Sequence, residues 1–229
     1  MAETKALVWD QVGEKIYETG IDRGVHYKMD ENGAYPLGVA WNGLTAITES
    51  PGGGEETPLY ANNSKYGSLY SKETFGGTIE AFTYPDSFAE CDGSLMVAPG
   101  VIAGGQSRKP FGLCYRSLIG NDVKGDAYGY KLTLVYNAKV SPSEKANNTV
   151  NESPEAAAMS WEFTTTEVPV ATKGPNGEDI TPMSRLVIDS TKVDKTKLAE
   201  LEAILYGSSS ATAKLPTIDE VLELLTASA

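Results

Sequence analysis

The 229-residue sequence predicts a mainly β fold, a sandwich or barrel, with a short helical segment at its C-terminal end. Three observations carry that expectation. Apolar and polar residues alternate over several short stretches, the period of a strand with one buried face. The 23 glycines and 12 prolines make up about 15 % of the chain against a usual ~12 %, and they fall between those stretches as turns. Twelve tyrosines add to the strand-favouring residues.

The elements follow in order. Val25 to Met29 and Val39 to Ile47 read as strands, separated by the turn-like Asp30-Glu31-Asn32-Gly33. Glu49 to Thr57 holds three consecutive glycines among acidic residues and reads as a solvated, flexible loop. Gly77 to Pro85 alternates β-branched and aromatic residues and ends at a proline. Phe111 to Ile119 alternates, and Tyr128 to Val140 is the clearest strand; the two are joined by a hairpin connection rich in Gly, Asn and Asp. In the second of these, Tyr128, Tyr130, Leu132, Leu134 and Tyr136 share one face, while Lys131, Thr133, Asn137 and Lys139 share the other. Ala157 to Thr165 sets Met159, Trp161 and Phe163 against Ser160, Glu162 and Thr164, and Arg185 to Ile188 forms a shorter strand. Helical spacing begins only after Asp194, an N-cap ahead of Leu198, Leu201, Ile204 and Leu205, with Gly207 at the end. Thr217 and Glu220 make a capping box before Val221, Leu222, Leu224 and Leu225. Residues 1–190 are therefore expected to form the β domain and 191–229 a helical extension.

Composition excludes several functions. A net charge of −12 opposes a nucleic-acid grip, which is built from Lys and Arg, although it is compatible with letting DNA pass unheld. The first fifteen residues carry charges throughout, so no secretion signal is expected. The longest nearly apolar stretch, Leu95 to Gly105, is too short and glycine-rich to span a bilayer. Two buried thiols at Cys91 and Cys114 suit such a chain better than a bridge. The sequons at Asn62, Asn147 and Asn151 then read as polar loops without sugar.

No catalytic or metal-binding constellation stands out. His26 is the sole histidine and reads as a structural residue within a strand. Glu80 and Glu162 have the residue type of a glycosidase pair, but both lie on the polar side of an alternating segment, where solvated sheet residues are the simpler explanation. Asp122 and Asp126 in the hairpin connection are acidic turn residues before they are calcium ligands. Trp161 and Phe163 share an apolar face, which favours core packing over a sugar platform. No enzyme activity, cofactor or metal is expected.

Longer strings are more specific than their physics. Phe75 to Gly93 (FGGTIEAFTYPDSFAECDG), Pro110 to Tyr130 (PFGLCYRSLIGNDVKGDAYGY), Ser141 to Thr166 (SPSEKANNTVNESPEAAAMSWEFTTT) and Leu201 to Leu225 resemble the major tail proteins of long-tailed bacteriophages. The likeness is to the phi13-type group from phages of Gram-positive bacteria and covers most of the chain in order. It implies a β-sandwich or barrel of the tail tube type. Six such subunits close into a ring, their inner sheets merge into one barrel, and the rings stack into a hollow tube. The tube assembles in the host cytoplasm around a tape measure protein, from the distal tail proteins to a tail terminator, and phage DNA later passes through its lumen. The implied partners are therefore further copies of the chain and these tail proteins, with no specific DNA binding and no membrane. Some members carry an immunoglobulin-like domain after the tube domain; neither that decoration nor a contractile sheath is expected here.

On that likeness, the strand Thr78 to Tyr84 is the first candidate for the lumen, with Thr78, Glu80 and Phe82 facing it. The polar face at Lys131, Thr133, Asn137 and Lys139 is the second. The segment holding Gly52, Gly53, Gly54, Glu55, Glu56, Lys65 and Tyr66 is either a bridge between subunits or rings, or a plain solvated loop. Two rivals come from other classes. A β-sandwich carbohydrate-binding module would need exposed coplanar aromatics, and a small β-sandwich hydrolase would need two facing carboxylates in a cleft.

Overall fold

A computed structural model of the chain describes residues 7–149 and 156–226. The sequon at Asn151 lies outside them. The strands are β1 (Ile16–Lys28), β2 (Leu37–Ala40), β3 (Leu44–Glu49), β4 (Glu56–Ala61), β5 (Ser64–Tyr70), β6 (Gly76–Ala81), β7 (Leu95–Ala98), β8 (Val101–Ala103), β9 (Phe111–Asn121), β10 (Gly125–Val140), β11 (Met159–Thr165) and β12 (Arg185–Asp189). Two helices follow, α1 (Lys195–Tyr206) and α2 (Ile218–Thr226). The molecule is mainly β with a short C-terminal helical segment, as expected. No described helix is long and apolar enough to cross a membrane.

Eight strands form one antiparallel sheet in the order β2-β1-β9-β10-β11-β6-β3, with β12 added beside the middle of β10. The two ends of this path meet. β2 and β3 are consecutive in the chain, separated only by Trp41-Asn42-Gly43, and the Trp41 amide donates to the Gly24 carbonyl at 2.8 Å. A Cβ at Gly24 would stand 2.7 Å from Leu44 Cδ2, so the absence of a side chain there lets β3 close against β1. The sheet therefore curls into a barrel and leaves few free edges.

Two cores result, one on each side of the wall. Trp41, Ile79, Phe88, Phe111, Leu113, Tyr115, Val135, Trp161 and Phe163 fill the interior. Their rings meet mostly edge to face, with Phe88 against Trp161 at 5.4 Å and against Phe111 at 5.4 Å. Outside the wall, Tyr27, Cys114, Leu132, Leu134, Tyr136 and Ile188 are covered by Leu198, Leu201 and Leu205 of α1 and by Ile218 and Val221 of α2. The helix signals act as their residue types dictate. The Asp194 carboxylate accepts from the Thr196 and Lys197 amides, and Thr217 and Glu220 each accept from the other's amide. Trp161 and Phe163 are core residues, and both cysteines are free and buried in different cores.

Several expectations need correction. Val39 to Ile47 is not one strand, because the turn at Trp41 to Gly43 carries the chain from one end of the sheet to the other. The polar face assigned to β10 is divided. Thr133 points into the barrel at 3 % exposure, and a bulge between Val135 and Ala138, with Asn137 at φ 50°, shifts the alternation so that Ala138 and Val140 point inward instead. Thr133 is thus removed from the second lumen candidate, and Lys131 is paired with Glu18 of β1. The loop from Glu49 to Thr57 is also tied down: Gly52 and Thr74 exchange two backbone hydrogen bonds of 2.8 Å, and Glu56 already belongs to β4.

Candidate assembly surfaces

Among the described residues, nothing packs on the outer face of the wall made by β3, β6 and β11. Ile79 and Ala81 of β6 point into the barrel, so Thr78, Glu80 and Phe82 alternate outward, Glu80 exposed and Phe82 53 % exposed. Register extends this face sideways. Thr78 lies opposite Thr48 of β3 and Glu162 of β11, and Glu80 lies opposite Ala46 and Ser160. The result is a surface of small polar residues with Glu80 and Glu162 on adjacent strands. The three residues assigned to the lumen from sequence do share one outward face, and Glu162 joins them through the cross-strand register. No group of three or more metal-ligating side chains occurs among the described residues.

The second surface is an arm. β4 and β5 pair only with each other, through the two-residue turn Asn62-Asn63, whose φ values of 50° and 59° are those of a tight hairpin. Every residue of β4 is exposed, and Tyr60, Tyr66 and Tyr70 stand in solvent, Tyr66 at 80 %. The register skips at Tyr66, which brings Lys65 onto the face of Glu56. There Lys65 and Ser68 hold the Glu56 carboxyl below its ordinary pKa. Of the residues assigned to this region, Glu56, Lys65 and Tyr66 lie on the arm, while Gly52, Gly53, Gly54 and Glu55 form its root.

That root is built to hold a direction. Gly53 and Gly54 lie at φ 78° and 71°, and a Cβ on Gly53 would overlap the Lys72 carbonyl oxygen. The Tyr115 hydroxyl donates to Glu49 Oε1 at 2.6 Å, and Arg185 pairs with the same carboxylate while stacking over Phe75 at 4.9 Å. Burial, then the bond to Glu49, raise the Tyr115 hydroxyl well above its ordinary pKa, so it remains a donor. Lys72 pairs with Glu167 across an open cleft of about 680 Å³ lined by Gly53, Thr74, Pro182 and Met183.

Sequence reasoning missed two further projections. β7 and β8 form a second isolated hairpin exposing Leu95, Met96, Val97, Val101 and Ile102. Residues 7–12 form an irregular arm, with Leu7, Val8, Trp9 and Val12 all exposed. The carboxylate of Asp122 accepts the Gly13 amide at 3.0 Å and the Asn121 side chain donates to the Gly13 carbonyl, so this arm is anchored where it leaves the body. Asp126 accepts from the Tyr17 hydroxyl at 3.2 Å. Both acidic turn residues hold the segment from Gly13 into β1.

His26 is a core residue. Its ring lies within 3.0 Å of Ser87 Oγ and 3.5 Å of Cys91 Sγ, fully buried. Burial lowers the imidazole to about 4 and raises the Cys91 thiol to about 12, so the pair is neutral and lacks the thiolate a nucleophile requires.

No protein-family model and no curated protein matches the chain. Solved structures do. A chain of the PVC sheath–tube complex of an extracellular contractile injection system, in the extended state, aligns with a TM-score of 0.38 and 9 % identity, over 73 % of this chain and 88 % of that one. A chain of the anti-feeding prophage tube-terminating cap aligns with a TM-score of 0.39 and 10 % identity, over 82 % and 99 %. A type six secretion system protein aligns with a TM-score of 0.35 and 12 % identity, over 73 % and 96 %.

Proposed function

We propose that the chain is a tail tube subunit of the phi13-type group from long-tailed phages of Gram-positive bacteria. It is a structural virion protein, not an enzyme, and it uses no cofactor. Six copies close into a ring, the rings stack, and DNA passes through the lumen unheld. The observation that carries the reading is a barrel that satisfies its own core yet presents an uncovered polar wall and an exposed, rigidly rooted arm. An arm whose tyrosines and leucines stand in water is a liability for a monomer and a contact for an assembly. The long sequence strings that resemble the tail protein family supply the identity of that assembly.

In this reading residues 1–190 are the tube domain and 191–229 its helical extension. Thr78, Glu80 and Phe82 line the lumen, where a carboxylate repels phosphate and keeps DNA sliding. Gly52, Gly53, Gly54, Glu55, Glu56, Lys65 and Tyr66 bridge to a neighbouring subunit or ring. The tube grows in the host cytoplasm around a tape measure protein, between the distal tail proteins and the terminator. The test replaces the arm, residues 55–73, with a short glycine linker. The body should fold unchanged by circular dichroism and fail to assemble, whereas normal assembly would remove the arm from the account. Glu80→Lys should leave tubes intact and reduce DNA ejection from reconstituted phage; unchanged ejection would take Glu80 out of the lumen. The exposed Tyr60, Tyr66 and Tyr70 are what a carbohydrate-binding module would use, and that alternative predicts a monomer that binds glycans.

A further inference from the structure

Among the described residues, the N-terminal arm and the β7–β8 hairpin are unpartnered apolar elements anchored at opposite ends of the same strand. Gly13 is held by Asn121 and Asp122 beside the start of β1, where Ile16 pairs with Asn121. The β7–β8 hairpin leaves the body at the other end. There Lys28, the last residue of β1, pairs with Glu90 at 2.6 Å, and the Gln106 amide closes on the Gly93 carbonyl at 2.9 Å. The ten steps of β9 between these ends span roughly 33 Å at about 3.3 Å per residue. Within one chain neither element covers the other: Trp9 is 75 % exposed and Val97 64 %.

Charge says what covers them. The chain carries −12, so two copies repel except through surfaces that avoid like charges. The hairpin segment from Gly93 to Ser107 has no charged residue, and the arm from Leu7 to Val12 has only Asp10. At the foot of the hairpin stands Arg108. Among the described residues it forms no ion pair, and its Nε is buried without a hydrogen-bond partner.

We infer that the N-terminal arm of one copy docks on the β7–β8 hairpin of the next, head to tail, with Trp9 among Leu95, Val97 and Ile102 and Asp10 against Arg108. The contact deepens the self-assembly reading and rests on it. Because the two surfaces differ, each copy offers one of each and the contact propagates along β1 instead of closing on a dimer. Trp9 is the anchor, a large aromatic that brings area at small entropic loss.

Cross-linking tests it in the full chain. Cys91 and Cys114 are buried, so a short bismaleimide reports only on thiols introduced at Val8→Cys and Val97→Cys. The double variant should give a ladder of covalent oligomers, a mixture of the two single variants only dimers, and each single variant alone only monomer. Trp9→Ala in the double variant should remove the ladder. Asp10→Arg or Arg108→Glu should each lower the yield about tenfold, and the two together should restore it. Dimers of V8C alone would show a symmetric contact and overturn the proposal. Tubes in the microscope without cross-links would overturn it and leave the tube reading intact. A monomer without cross-links at about 1 mM, far above typical interface affinities, would overturn both.

Discussion

His26 shows how one residue can be read from sequence for its role and not for its surroundings. A lone histidine inside a strand pattern points to structure, while its partners Ser87 and Cys91 come from a turn more than sixty residues away. Its burial makes a pH prediction. An imidazole at about 4 in the folded state and 6.5 when unfolded binds its proton more readily in the unfolded chain. Its contribution is complete above pH 6.5 and is lost progressively as pH falls towards 4. Urea unfolding should show a stability loss of about 2 kcal/mol between about pH 7.5 and about pH 5, and His26→Gln should flatten that slope. The lowered carboxyls of Asp22 and Glu90 contribute chiefly at lower pH, since their unfolded values lie below that window. Gly53 makes a second prediction at this scale. Gly53→Ala should distort the root of the arm and strip hydrogen-exchange protection from the Gly52 and Thr74 amides, a local cost of about 2 kcal/mol. Gly67→Ala, with open space around its Cβ, should leave that protection unchanged. Asn137 marks the limit of residue-scale reading: the bulge there puts Thr133, before it, on the inner face and Asn137 and Lys139 off that face, and it has no signature in an alternating string.

At the scale of elements, legibility followed burial. Strands with one face in a core announced themselves by period, and both helices did so through their caps and apolar stripes. The β4–β5 arm could not, because both its faces are exposed and no alternation exists; Asn62-Asn63 between two stretches containing tyrosine was the available turn signal. The β7–β8 hairpin was legible only as an apolar run, which periodicity cannot assign. Both helices pack one face on their own barrel. Leu201 is fully buried against the wall, and Leu201→Ala should cost about 3 kcal/mol of stability by urea unfolding. Cutting the chain after Ser190 would expose Tyr27, Leu132 and Leu134 and should abolish the folded monomer by near-ultraviolet circular dichroism; a stable truncated body would show that the outer core is dispensable.

For the whole molecule, composition foretold the class but not the closure. Nothing in Val39 to Ile47 announces that three residues carry the chain from one end of the sheet to the other; that follows from the side-chain-free approach of β1 and β3 at Gly24. Closure is what gives the molecule a self-sufficient core while its uncovered wall and projecting arms remain available to other copies. The acidic charge per copy is multiplied in an assembly, so contacts between copies should rest on apolar and uncharged elements and persist at high salt.

Electron microscopy of the purified chain, concentrated and incubated for days, tests self-assembly into a conduit most directly. Stacked rings around an open lumen are the expected result, with the β3–β6–β11 wall facing the lumen and the β4–β5 arm reaching a neighbour. Solid fibrils, closed dimers, or a monomer that binds glycans instead would contradict it.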